Sequence, residues 1–207
     1  TYHSAGGNGG VISSSKDSTL DLLSSTFDSN VAVKNGGAVY LDKRGSLTIS
    51  KSYFHDNTAV SGSDIYGGTD ANLNIEGSYF VGSVSSNDAK GGSLHIFDPV
   101  SISLVNCEFS GTRGGWGTAA QILASDDDHE HAYVLIYNST FVNNGLRENG
   151  RSVNTCLKNT INGGTLAISR IASALINECV FYDNAACYGG GVYSSFSTVF
   201  VTNSDFV

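Results

Sequence analysis

The chain has 207 residues, of which 40% are hydrophobic and 14% charged, with a net charge of −8. That is enough apolar material for a sizeable core, and it excludes intrinsic disorder. With only 11 Lys and Arg there is no basic patch for a phosphate backbone, which argues against nucleic acid and anionic lipid as partners and favours cations or neutral glycans. No apolar run approaches the length of a bilayer, so no transmembrane segment is expected. Twenty-five Gly, one Pro and plentiful Ser, Asn, Val, Tyr and Phe point to strands joined by tight turns.

From the N-terminus onward an aromatic slot recurs at Phe27, Phe54, Phe80, Phe109, Phe141, Phe181 and Phe206. Seven and five residues before each stands an apolar pair: Leu20/Leu22, Leu47/Ile49, Leu73/Ile75, Ile102/Leu104, Val134/Ile136, Ala174/Ile176 and Val199/Val201. A spacing of two marks a strand with one face buried. Two residues before each Phe the side chain is always small: Ser25, Ser52, Ser78, Cys107, Ser139, Cys179 and Ser204. Upstream lies a glycine pair, at Gly9-Gly10, Gly36-Gly37, Gly91-Gly92, Gly163-Gly164 and Gly190-Gly191, with Thr118-Ala119 in its place in the fifth repeat. Three residues after the Phe comes Asn30, Asn57, Asn144 or Asn184, replaced by Ser83 and Thr112 in the third and fourth repeats. Stacked Asn side chains can hydrogen-bond along a solenoid axis and satisfy turn backbone.

A strand-and-turn repeat of this length cannot bury its apolar face alone; stacking does so, each coil adding about 4.8 Å. The fold predicted is all-β, a right-handed parallel β-helix of about seven coils forming one domain over residues 1–207, with insertions at about 120–132 and 145–160. The start at Thr1 and the end at Val207 inside a repeat read as a segment of a longer chain.

Gly36-Gly37-Ala38-Val39 and Phe54-His55-Asp56-Asn57 carry paired Gly-Gly-Ala-aliphatic and Phe-x-x-Asn motifs. In them the chain resembles the polymorphic outer-membrane-protein type of repeat. The resemblance covers most of the chain and implies an exported protein at the cell surface, structural or adhesive in role. Wider β-helix relatives include polysaccharide lyases and hydrolases, so activity has to be argued from a site.

Both insertions fall in the fifth coil, where function is most readily grafted. The first holds Asp126, Asp127, Asp128, His129, Glu130 and His131. Its carboxylates offer oxygen ligands to Ca²⁺, and His129 and His131 offer imidazoles to a transition metal. No EF-hand or zinc spacing is present, and a solvated acidic loop is the competing reading. No other cofactor is implied. The second insertion carries Arg147, Arg151, Lys158 and Cys156, and Cys187 lies in the matching turn one coil later. A Cys156–Cys187 disulfide would pin that loop and suit an oxidising compartment. Cys107 and Cys179, two coils apart, are too distant to bridge. Asn138-Ser139-Thr140 is an N-glycosylation acceptor triplet.

By the period-two rule, residues six and four before each Phe face outward. The first three coils present a wet face: Asp21, Leu23, Thr48, Ser50, Asn74 and Glu76. Later coils present Val105, Leu135, Tyr137, Leu175 and Phe200, an apolar stripe of the kind that another subunit or the chain's own long loop covers. No catalytic residues are assigned, because the outward face lacks the clustered carboxylates of β-helix enzymes. Lyase-like chemistry would have to use the 126–131 loop with Arg113, Arg147 or Arg151, and a carbohydrate-active or glycan-binding β-helix is the alternative reading. The leading expectation is an extracellular structural or adhesive module that self-associates, surface glycans being further candidate partners.

Overall fold

The computed structural model describes residues 2–86, 91–125, 132–145, 147–148, 151–152 and 163–207. It is a parallel β-solenoid of seven coils, with no helix among the described residues. Each coil visits three sheets in turn. The first sheet stacks Ile12–Ser13, Val39–Leu41, Ile65–Gly67, Leu94–Phe97, Ala120–Leu123, Leu166–Ser169 and Val192–Ser195. The second stacks Thr19–Leu23, Ser46–Ser50, Asn72–Glu76, Ser101–Val105, Tyr133–Tyr137, Ser173–Asn177 and Val199–Thr202. The third stacks Thr26–Asp28, Tyr53–His55, Tyr79–Val81, Glu108–Ser110, Thr140–Val142, Val180–Tyr182 and Asp205–Phe206. A short fourth sheet closes the early coils, and Arg147–Glu148 pairs antiparallel with Arg151–Ser152 in the second insertion.

The predicted Phe slot is the register of the third sheet. Adjacent rings from Phe27 to Phe206 stack with centroids 4.6–5.1 Å apart, within 9° of parallel. That interval is the inter-strand spacing, so a parallel in-register stack places like on like. The apolar pairs of the second sheet point inward, and from Leu47 through Ile176 they are buried.

The small slot has a bonding reason as well as a steric one. The backbone N–H of Ser25 donates to Ser52 Oγ, Ser52 N–H to Ser78 Oγ, Cys107 N–H to Ser139 Oγ, and Cys179 N–H to Ser204 Oγ, each at 3.1 Å. Each hydroxyl in turn donates within its own coil to the carbonyl two residues back, as Ser139 does to Tyr137 O at 2.9 Å. The residue before the slot turns the chain through the left-handed region in every coil: Ser24, Lys51, Gly77, Asn106, Asn138, Glu178 and Asn203 have φ of 45–56°.

The glycine landmark sits differently from its sequence reading. Strand register aligns Gly117-Thr118, not Thr118-Ala119, with Gly91-Gly92, and Gly189-Gly190, not Gly190-Gly191, with Gly163-Gly164. The third coil joins the set through Gly62-Ser63. The first position is set by its dihedral: Gly36 has φ +65°, and a Cβ there would fall 2.1 Å from Val39 O. The second is set by the next coil, since a Cβ on Gly37 would fall 2.1 Å from Ser63 O and one on Gly92 1.7 Å from Thr118 O, whereas the third and fifth coils carry Ser63 and Thr118 there.

The Asn slot forms an internal ladder. Asn30 Nδ2 donates to Asn57 Oδ1 at 2.9 Å, and Asn144 Nδ2 to Asn184 Oδ1 at 3.1 Å. Between them Ser83 and Thr112 are fully buried, and each receives or makes the same kind of bond. Asn57 N–H donates to Ser83 Oγ at 3.1 Å, and Thr112 Oγ1 lies 2.7 Å from Asn144 Oδ1.

Candidate contact surface on the second sheet

Alternation along each strand of the second sheet turns one residue in two toward solvent. Strand register therefore builds outward columns with one residue from each coil. The central column reads Asp21, Thr48, Asn74, Ser103, Leu135, Leu175, Phe200. It changes from polar to apolar along the axis. Leu135 is 38%, Leu175 39% and Phe200 56% exposed, on three successive strands.

The flanking columns shape this wall. On one side Ser46, Asn72, Ser101, Tyr133 and Ser173 align, and Tyr133 is 60% exposed. Small side chains at Ser101 and Ser103 followed by Tyr133 and Leu135 leave a step, and a shallow groove of about 450 Å³ runs across the coils there. On the other side stand Glu76, Val105, Tyr137 and Asn177. Val105 and Tyr137 are half-buried, so the contact stripe narrows to Leu135, Leu175 and Phe200 with Tyr133 beside it. The Tyr137 hydroxyl donates to Glu178 Oε2 at 2.8 Å, and the neighbouring carboxylate raises its phenol pKa.

Asp126, Asp127, Asp128, His129 and His131 lie outside the described residues, as does Cys156. Cys187 is disulfide-bonded, whereas Cys107 and Cys179 are buried free thiols. Burial pushes the Cys107 thiol up to about 11 and raises that of Cys179, so both are protonated and unreactive at neutral pH. Asn138 is exposed in its turn, where its Nδ2 donates to Asn106 Oδ1 at 2.6 Å; the hydroxyl of Ser139 in the same triplet is buried in the small-residue ladder.

Two outward features were not read from the sequence. Asp28 Oδ1 and Asp56 Oδ2 flank the His55 ring at 2.8 and 3.3 Å, joining two coils on the third sheet. The outer face of the first sheet carries stacked rings, Tyr40 on Tyr66 at 5.3 Å and Tyr66 on His95 at 5.2 Å. Each of these three residues lies four positions after the positive-φ glycine of its coil, an offset that a count anchored on that glycine would have found. No protein family, curated protein or solved structure gives a significant match to this chain.

Proposed function

We propose that this chain is a structural and adhesive module of an extracellular surface, joining neighbouring chains of its own kind through the outer wall of the second sheet. The observation that carries the reading is the run of Leu135, Leu175 and Phe200 on consecutive strands, exposed and in register. Solvent-facing side chains on a wet sheet are ordinarily polar, as Asp21, Thr48 and Asn74 are in the same column. An apolar run on a rigid ladder gains about 25 cal/mol for each Å² a partner removes from water. The Gly-Gly-Ala-aliphatic and Phe-x-x-Asn motifs, which resemble those of surface-protein repeats, support the same role and the extracellular location.

Charging the stripe tests the reading. Leu135→Glu and Leu175→Glu, made separately, are expected to abolish self-association measured by light scattering, while Thr48→Glu in the same column leaves it intact. All three positions face outward, so melting temperatures should stay near that of the parent. Unchanged association in both leucine variants would sink the proposal.

A further inference from the structure

The outer face of the first sheet aligns Ser13, Tyr40, Tyr66, His95, Gln121, Ala167 and Tyr193, one from each coil. Large side chains fill the column from Tyr40 to Gln121. At Ala167 a single methyl group stands between Gln121 and Tyr193 and leaves a hollow one coil wide. Trp116, in the turn before Ala120–Leu123, leans across this gap and meets Tyr193 edge-on, with centroids 5.9 Å apart and planes at 72°. Gly163 makes room for it, since a Cβ there would come within 3.4 Å of the indole and 3.1 Å of the Ala167 methyl.

The result is a cavity of about 340 Å³, at the small end of the roughly 300–1,000 Å³ range of small-molecule sites. Two aromatic walls meet at a steep angle, and Gln121, Ser169 and Ser195 add polar groups to the lining. Gln121 is 5% exposed, and its Oε1 is buried without a hydrogen-bond donor. A buried acceptor without a donor is destabilising, so the site is short of one donor. Ser169 Oγ and Ser195 Oγ also line the cavity and lie 2.8 Å apart; one donates to the other, which leaves the second hydroxyl proton to offer.

We infer that this cavity binds one hexopyranose ring of a glycan. A pyranose presents an apolar C–H face, which suits the indole and phenol walls, and a rim of hydroxyls. Half a turn of the Gln121 carboxamide exchanges its buried Oε1 with Nε2, after which one hydroxyl supplies the donor that Oε1 lacks, and another accepts from the serine pair. A quaternary ammonium also favours aromatic walls, but the ammonium group itself carries neither a donor for Gln121 Oε1 nor an acceptor for the serine pair. The site lies on a different sheet from the Leu135–Phe200 stripe, so either assignment can fail without the other.

Trp116 is the only tryptophan in the chain, so tryptophan emission, excited where the tyrosines do not absorb, reports on this cavity alone. The chain is titrated with glucose, galactose, mannose and N-acetylglucosamine, and with choline for comparison. At least one sugar is expected to change the emission saturably with a Kd of about 1 mM. Gln121→Leu, which keeps the volume and the indole, should weaken that binding about tenfold or more. Ala167→Leu, which fills the hollow, should abolish it. A thermal melt checks the fold of both variants, and Gln121→Leu alone decides if Ala167→Leu does not fold. The assignment is overturned if none of these sugars produces a saturable change, if choline alone does, or if Gln121→Leu binds as the parent does.

Discussion

Asp64 stands where other coils carry Ala38, Ser93, Ala119 or Thr165, and it is fully buried. Ser93 Oγ donates to it at 2.5 Å, and Asn57 Nδ2 and Ser83 Oγ each donate at 2.7 Å. The same coil has Ser83 in the Asn slot, so the shorter serine and the longer aspartate share one volume beside Asn57. Desolvation raises the carboxyl pKa to about 6, outweighing the three hydrogen bonds that lower it. A folded value above the unfolded one means that the protonated form favours the fold. This contribution is fully present below the ordinary value of 3.8, falls as the pH climbs to about 6, and is then gone. Its size is about 3 kcal/mol at most. Asp64→Asn should remove that slope: parent and variant stability, compared by urea unfolding at pH 4 and pH 7, should diverge in favour of the variant at pH 7. Equal pH dependence in the two would contradict the assignment. The comparison must be a difference between the two proteins, because exposed Asp17 and Asp28, held low by Arg44 and His55, respond in the opposite sense.

At the scale of strands, the aromatic stack does most of the registering. Phe109 is fully buried between Phe80 and Phe141, with centroids 4.6 and 5.1 Å away, while Phe206 stacks only on Phe181 and is 51% exposed. Phe109→Ala should therefore cost about 3–5 kcal/mol in chemical unfolding, and Phe206→Ala less than half as much. Equal losses would mean that the stack does not carry the core. This part of the fold was legible in the sequence because parallel in-register pairing repeats the same residue type at the same place. The small slot was legible as a position but not as a bond, since its Ser hydroxyls accept from a backbone N–H one coil away, which no local pattern reveals. Gly62 and Gly117 escaped the glycine count because Ser63 and Thr118 follow them; only the first position needs a positive φ. The cavity beside Ala167 was invisible for a related reason: counting from Phe leads into the second and third sheets, whereas the outer column of the first sheet is counted from the glycine.

Over the whole molecule, the solenoid converts a one-dimensional pattern into continuous walls, each a readable column of outward residues. The second sheet runs from Asp21 to Phe200, polar to apolar, and the first from Tyr40 to Tyr193, with its hollow at Ala167. The net charge of −8 opposes contact between copies, so salt should strengthen an association driven by the apolar stripe. The most direct measurement is the mass of the native chain in solution by sedimentation, over a range of concentrations and at low and physiological salt. Contact through the wall predicts a mass above the 21.6 kDa of one chain, rising with concentration and with salt. A single species of 21.6 kDa at every concentration and both salts would contradict it.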